Sequence, residues 1–301
     1  MGICDGRVVI VTGAGRGLGR AHALAFGAEG AKVVVNDIGV ELDGSGGGTG
    51  PGGEVVEEIR AAGGEAIANG ADIADWGQAQ GLVEAAVSAF GRLDVVMNNA
   101  GVVRDRMFAN ASEEEFDFVT RVHLKGHFAV SRHAASYWRD QSKAGEKVDA
   151  RIINTSSGAG LQGSVGQSVY SSAKGAIATL TLVQAAELGR YGVTSNAIAP
   201  NARTRMTEEV FADDMAEVGE GAFDEVAPEN VSPLCVWLGS PESRDVSGRI
   251  FEVKGGRIAV SDGWRDDAEV DKGARWAPDE VGAAVHEILS KAPAPQKCYG
   301  T

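Results

Sequence analysis

Arg7-Val8-Val9-Ile10-Val11-Thr12-Gly13-Ala14-Gly15-Arg16-Gly17-Leu18-Gly19 decides how this chain is read. An apolar run of strand length passes directly into a glycine turn. A helical pattern follows, with Leu24 and Phe26 set among alanines. A strand, a glycine turn and a helix start bring backbone N–H groups and a helix N-terminus to one point, which suits a pyrophosphate. Glycine is needed where the backbone turns sharply or approaches a ligand closely. Gly13, Arg16, Gly17, Leu18 and Gly19 are therefore candidate cofactor contacts. Arg16 could pair with phosphate or only with solvent, and a plain glycine-rich turn is the alternative for the whole stretch.

Working outward, Lys32-Val33-Val34-Val35-Asn36-Asp37 reads as a second strand. Asp37 lies 24 residues past Gly13, near the offset of about 20 at which an acid meets the ribose 2′-hydroxyl of a dinucleotide. A carboxylate there repels the extra phosphate of NADP, so NAD is favoured. An acid capping a strand–loop junction would look the same. Residues 38–53 are too long and glycine-rich for an ordinary strand–helix connection, and they lack the Gly-Lys-Ser/Thr ending of a phosphate loop. They are expected to form a surface loop.

The pattern then predicts a helix over 54–62, a strand over 65–69 and an amphipathic helix over 75–90 carrying Leu82, Val83, Ala86, Val87 and Phe90. A fourth strand over 93–97 ends in Asn98-Asn99-Ala100-Gly101, where backbone must pass close to a cofactor. Ser112 with Glu115 is a capping box, and the helix it starts is expected to run towards Trp138. Strands follow at 152–155, 193–198 and, last, 248–253, with a helix over 232–238. The acidic segment 205–227 has the character of a mobile lid. Strands alternating with helices predict an α/β fold, a doubly wound parallel sheet in a single domain over 1–257. An extension over 258–301 follows, with a short helix at 281–289.

Composition narrows the function. The chain has 301 residues and a net charge of −14, which argues against nucleic acid or an anionic membrane surface as partner. No apolar run approaches the length of a membrane span. Three scattered cysteines show neither a disulfide framework nor metal-ligand spacing, so no metal and a cytoplasmic location are expected.

One further motif carries chemistry. Tyr170-Ser-Ser-Ala-Lys174 puts a phenol and an ammonium four residues apart, on one helix face, with Ser157 thirteen residues upstream. An opposite charge favours the phenolate, and that would make the tyrosine a usable acid/base. Such a pair taken alone also occurs on many solvated helices. Ser157 lies just past the expected strand at 152–155, where open α/β sheets place their sites.

Taken in order, the glycine turn, Asn98-Asn-Ala-Gly101, Ser157, Tyr170-x-x-x-Lys174 and the Pro200 segment resemble the short-chain dehydrogenase/reductase family over roughly residues 5–255. Val34-Val35-Asn36-Asp37-Ile38-Gly39, Arg104-Asp105-Arg106, Val122-His123-Leu124-Lys125-Gly126 and Ala199-Pro200-Asn201-Ala202 are similar to the (3R)-hydroxyacyl-CoA dehydrogenase domain of peroxisomal multifunctional enzyme type 2. The resemblance implies a Rossmann-type fold and hydride transfer between NAD and a secondary alcohol or ketone. It implies that Tyr170 takes the proton, Ser157 holds the substrate oxygen, and Lys174 binds the nicotinamide ribose and lowers the tyrosine pKa. It maps Asp37 to the adenosine ribose, Asp72 and Ile73 to the adenine, Asn99, Ala100 and Gly101 to the adjoining wall, and Thr204 to the nicotinamide amide. Most family members carry an asparagine where this chain has His123, which could hold a relay water or simply pack.

The resemblance implies a 3-hydroxyacyl-CoA substrate, steroid-derived thioesters included, and a homodimer or homotetramer through the long helices. Arg104, Arg106 and Lys125 would help to hold CoA phosphates. A hydroxysteroid or other hydrophobic-alcohol dehydrogenase without CoA is a second reading, and a non-catalytic NAD-binding regulatory protein a third.

Overall fold

The structure, a computed structural model, describes residues 2–39, 50–203, 222–261, 263–264 and 268–299. The strands are β1 (Val8–Thr12), β2 (Lys32–Asn36), β3 (Glu65–Asn69), β4 (Val95–Asn98), β5 (Ala150–Thr155), β6 (Val193–Pro200), β7 (Ile250–Lys254) and β8 (Arg257–Ser261). They form one sheet in the order β3-β2-β1-β4-β5-β6-β7-β8. All pairs are parallel except β7 with β8, which is antiparallel. The chain order reverses between β1 and β4, and the crevice at such a switch point is where open sheets bind ligands.

The helices are α1 (Gly17–Ala28), α2 (Gly50–Ala61), α3 (Trp76–Phe90), α4 (Glu113–Thr120), α5 (Gly126–Lys143), α6 (Gly158–Gln162), α7 (Ser168–Leu188), α8 (Ser232–Gly239) and α9 (Pro278–Lys291). Successive side chains of a strand face opposite sides, and here both sides are covered. Val9 and Val11 of β1 join one core with Phe26, Ile59 and Leu238. Val8 and Ile10 join the other with Leu82 and Trp138. Apolar runs without alternation follow from this double burial.

Local signals set the ends. Asp75 caps α3 by accepting from the Gln78 N–H at 2.8 Å. Gly91, at φ 79°, closes the same helix. The Ser112–Glu115 capping box starts α4 as expected. Between α4 and α5 the helix widens into a single π turn, Arg121–Lys125.

Two expectations need correction. The helix expected from Glu54 starts at Gly50, because Pro51 in a first turn loses no helical hydrogen bond. Only residues 40–49 of that glycine-rich stretch lie outside the described residues. The strand expected to be last is followed by another. Lys254 pairs with Arg257 across Gly255-Gly256, and β8 spans the boundary expected after residue 257. Gly-Gly between two strands is a hairpin signal.

Candidate functional site

The glycine turn is built for close approach. Gly13 has φ +62° and Gly17 φ +52°. A Cβ on Gly13 would lie 2.7 Å from the Ala100 Cα, and one on Gly19 would lie 2.0 Å from the Gly13 carbonyl oxygen. The Asn98–Gly101 turn is locked onto it. The Thr12 hydroxyl accepts from the Asn99 and Ala100 N–H groups at 3.0 and 3.1 Å. Asn99 Nδ2 donates to the Thr12 and Gly13 carbonyls at 3.1 and 3.2 Å. The result is a narrow backbone cradle at the N-terminus of α1, which suits an anion. Arg16 is exposed at the N-cap of α1. Leu18 packs its side chain on the core, so its backbone is what it can offer.

Asp37 stands just past β2. It accepts from the Gly15 N–H at 2.8 Å and from the Gly39 N–H at 2.7 Å, one bond to each carboxylate oxygen. An ionised carboxylate has about four acceptor positions. The lone pairs left over suit ribose hydroxyls, whereas a phosphate there would meet like charge. The cradle and this acid together fit a dinucleotide without a 2′-phosphate.

Asp72 and Ile73 are less simple. Asp72 pairs with Arg121 at 2.5 Å and accepts from the Ala74 N–H at 2.9 Å. Ile73 is buried in the core, and its Cδ1 would touch any Cβ placed on Gly126. Its side chain is thus committed to packing, leaving only its backbone for an adenine. Thr204 and residues 205–221 of the expected lid lie outside the described residues.

The candidate acid/base residues Ser157, Tyr170 and Lys174 assemble near the carboxyl ends of β5 and β6. Ser157 caps α6, its hydroxyl accepting from the Ala159 N–H at 3.2 Å. Tyr170 and Lys174 sit on α7; Lys174 is buried and Tyr170 is half-buried at the edge of a cavity. Lys174 Nζ donates to the Thr155 carbonyl at 2.7 Å and lies 5.6 Å from the centre of the Tyr170 ring. Burial lowers Lys174 to about 7. Burial also raises the Tyr170 phenol to about 12, outweighing its hydrogen bond with Ser157. The expected lowering of the phenol by Lys174 is therefore not the state of the ligand-free protein. The desolvation that raises the phenol also weakens the hold of Lys174 on its proton, so the ammonium is only partly populated near neutrality.

His123 lies in the π turn and is buried. Its Nε2 lies 2.6 Å from the Val102 carbonyl oxygen and 3.1 Å from the Val102 nitrogen, so the ring is held against that backbone unit. A Cβ on Gly101 would fall 2.4 Å from its Cε1. Burial, then the Lys174 charge, hold the imidazole neutral, with a pKa of about 3.

A cavity of about 210 Å³ opens over this group, lined by Ser157, Tyr170, Gln167, Lys254, Arg257 and Tyr299 among others. The last four were not singled out from the sequence. Gln167 is held by Asp105 at 2.9 Å. Lys254 and Arg257 come from the β7–β8 hairpin, whose Lys-Gly-Gly-Arg turn could have drawn attention to them. Nothing local marks Tyr299. Of the expected phosphate-binding residues, Arg106 bridges to the cavity residue Gln167 and pairs with Glu115 at 2.9 Å, and Arg104 stacks over Phe118 at 5.1 Å. Lys125 is exposed in the π turn.

Beneath the site runs a buried polar chain. Asn98 Nδ2 donates to Ser131 and Asn154 at 2.8 and 3.0 Å. Asn154 Nδ2 donates to Thr181 and Gln184 at 2.9 and 2.8 Å. Ser195 donates to Gln184 at 2.9 Å. Five elements, β4, α5, β5, α7 and β6, are tied by this chain under the candidate site.

The short chain dehydrogenase family matches residues 7–215, a span that contains the glycine turn, Ser157, Tyr170 and Lys174. The chain belongs to this family. As a short-chain dehydrogenase it is an oxidoreductase of a group that binds NAD or NADP. It is 45% identical to the hydroxyacyl-CoA dehydrogenase ChsB1 of Mycobacterium tuberculosis, over 95% of this chain and 89% of that protein. It is 46% identical to the peroxisomal multifunctional enzyme type 2 of Mus musculus, over 84% of this chain but 32% of that longer protein. The crystal structure of a short chain dehydrogenase from Mycobacterium avium is 65% identical, with a TM-score of 0.89 over the whole of both chains.

Proposed function

We propose that this short-chain dehydrogenase oxidises the 3-hydroxyl of a hydroxyacyl-CoA thioester, with NAD as hydride acceptor. The carrying observation is that Ser157 and Tyr170 line one cavity whose mouth also holds Lys254 and Arg257. An uncharged reacting end and an anionic handle suit such a site. The names of the relatives support the same substrate class.

On this reading the Ser157 hydroxyl holds the substrate oxygen, and Tyr170 removes its proton. Lys174, anchored on Thr155, orients the ribose side of the cofactor and adds positive charge when protonated. A bound dinucleotide supplies the hydride acceptor. Gly13, Gly17 and Gly19 admit its pyrophosphate, and Asp37 accepts from its ribose and disfavours NADP. His123 packs between Gly101 and Tyr170 and fixes the tyrosine ring. Exposed Phe116, Phe128, Leu182 and Val183 on α4, α5 and α7 support assembly into a dimer or tetramer. Three free cysteines accord with a cytoplasmic location.

NADH formation with (3R)- and (3S)-hydroxyacyl-CoA esters, free hydroxysteroids and NADP controls tests the proposal. Turnover of one CoA-ester stereoisomer with NAD is the expected result. Turnover of free steroids alone would replace it with the hydrophobic-alcohol reading.

A further inference from the structure

The segment after α9 returns to the site. The Tyr299 N–H donates to the Gly163 carbonyl at 3.1 Å, and the Val165 N–H donates to the Tyr299 carbonyl at 3.2 Å. Ser164 and Tyr299 thereby form a parallel bridge. The loop that receives this bridge joins α6 to α7, between Ser157 and Tyr170. The Tyr299 ring then settles over Gly158, the neighbour of Ser157. A Cβ on Gly158 would lie 2.5 Å from the phenol oxygen and 2.7 Å from Cε2. Only glycine at 158 accommodates the ring in this position. Tyr299 is 37% exposed, with burial and then the nearby Glu252 charge raising its phenol while Arg257 opposes them.

We infer that Tyr299 is a specificity-determining wall of the substrate cavity, carried there by segment 292–299. The inference rests on reading that cavity as the alcohol site. The enclosed volume, about 210 Å³, lies below the range of roughly 300–1,000 Å³ usual for whole ligand pockets. Such a space encloses the reacting end of a substrate, and an aromatic ring at its edge limits the bulk tolerated beside the carbinol carbon. The ring's shape provides the limit, because its contact with Gly158 is steric.

The test compares wild type, Tyr299→Ala and Tyr299→Phe in the full chain. Each is assayed with NAD on 3-hydroxybutyryl-CoA, a ring-bearing 3-hydroxyacyl-CoA, 2-butanol and a cyclohexyl-substituted secondary alcohol. In the alanine variant the kcat/KM ratio of bulky to small substrate should rise about tenfold or more, the scale on which pockets discriminate by size. The phenylalanine variant should keep the wild-type ratio. An unchanged ratio in Tyr299→Ala, or an equal change in Tyr299→Phe, would overturn the inference. Turnover of the CoA-free alcohols alone would remove the acyl-CoA reading while leaving the ratio measurable on them. If wild type turns over none of the panel, amide hydrogen exchange decides. The Val165 amide should exchange faster in Tyr299→Pro, which removes the N–H donated to Gly163, and an equal rate would overturn the docking itself.

Discussion

The His123 imidazole meets the Tyr170 ring edge-on, with centroids 5.3 Å apart and planes at 87°. Its pKa of about 3 keeps it neutral through the physiological range, so its contact with the phenol ring is one of shape. The expected pH profiles of kcat/KM for wild type and His123→Asn share the same form between pH 5 and 8. A limb present in wild type and missing in the variant would show that His123 carries a titrating proton.

Tyr170→Phe removes the proton acceptor and leaves the glycine cradle untouched. Turnover should fall by about 10²–10⁴-fold, the usual contribution of a positioned acid/base, while NAD affinity measured by calorimetry stays close to wild type. With the phenol near 12 in the ligand-free protein, wild-type alcohol oxidation should also quicken from pH 7 to 9. Substantial turnover by the phenylalanine variant would reassign the base.

Lys174 links stability to pH. Its pKa falls from 10.5 to about 7 on burial, so between those values the unfolded chain binds more protons than the folded one. Stability from this group therefore rises with pH across that window. The melting temperature of wild type minus that of Lys174→Met should grow between pH 7 and 9. A difference that stays flat would mean the ammonium is not desolvated.

Asp37 braces the glycine turn and is the proposed acceptor for the ribose. Asp37→Asn keeps one acceptor oxygen but loses the charge. The NAD/NADP ratio of kcat/KM should fall about tenfold or more, since like-charge juxtaposition costs several kcal/mol. An unchanged ratio would place cofactor choice elsewhere.

Gly158→Ala should push the Tyr299 ring aside. Its effect on the bulky-to-small selectivity ratio should resemble that of Tyr299→Ala, and the double variant should differ little from Tyr299→Ala alone. Additive single effects would show that the two positions are uncoupled.

The β1-turn-α1 unit was legible because its glycines are demanded by local backbone geometry. Ser157, Tyr170 and Lys174 were legible as a spacing, and the fold brings Ser157 and Tyr170 to one cavity with Lys174 5.6 Å from the Tyr170 ring. The hairpin after β7 was missed because Lys254-Gly-Gly-Arg257 was read as a domain end. Tyr299 carries no local signal, since its place depends on the path of the chain over many residues. The burial that shifts Tyr170 and Lys174 in the ligand-free protein was not legible for a related reason. A spacing of four reveals neighbours, but desolvation depends on everything packed around them.

The polar chain from Ser131 through Asn98 and Asn154 to Gln184 and Ser195 also proofreads the assembly of the sheet. A one-residue slip of β5 would turn Asn154 to the opposite face and strand its amide. Each buried group left without a partner costs about 1–3 kcal/mol, so a slipped register is disfavoured by that penalty at the strand ends that present Ser157.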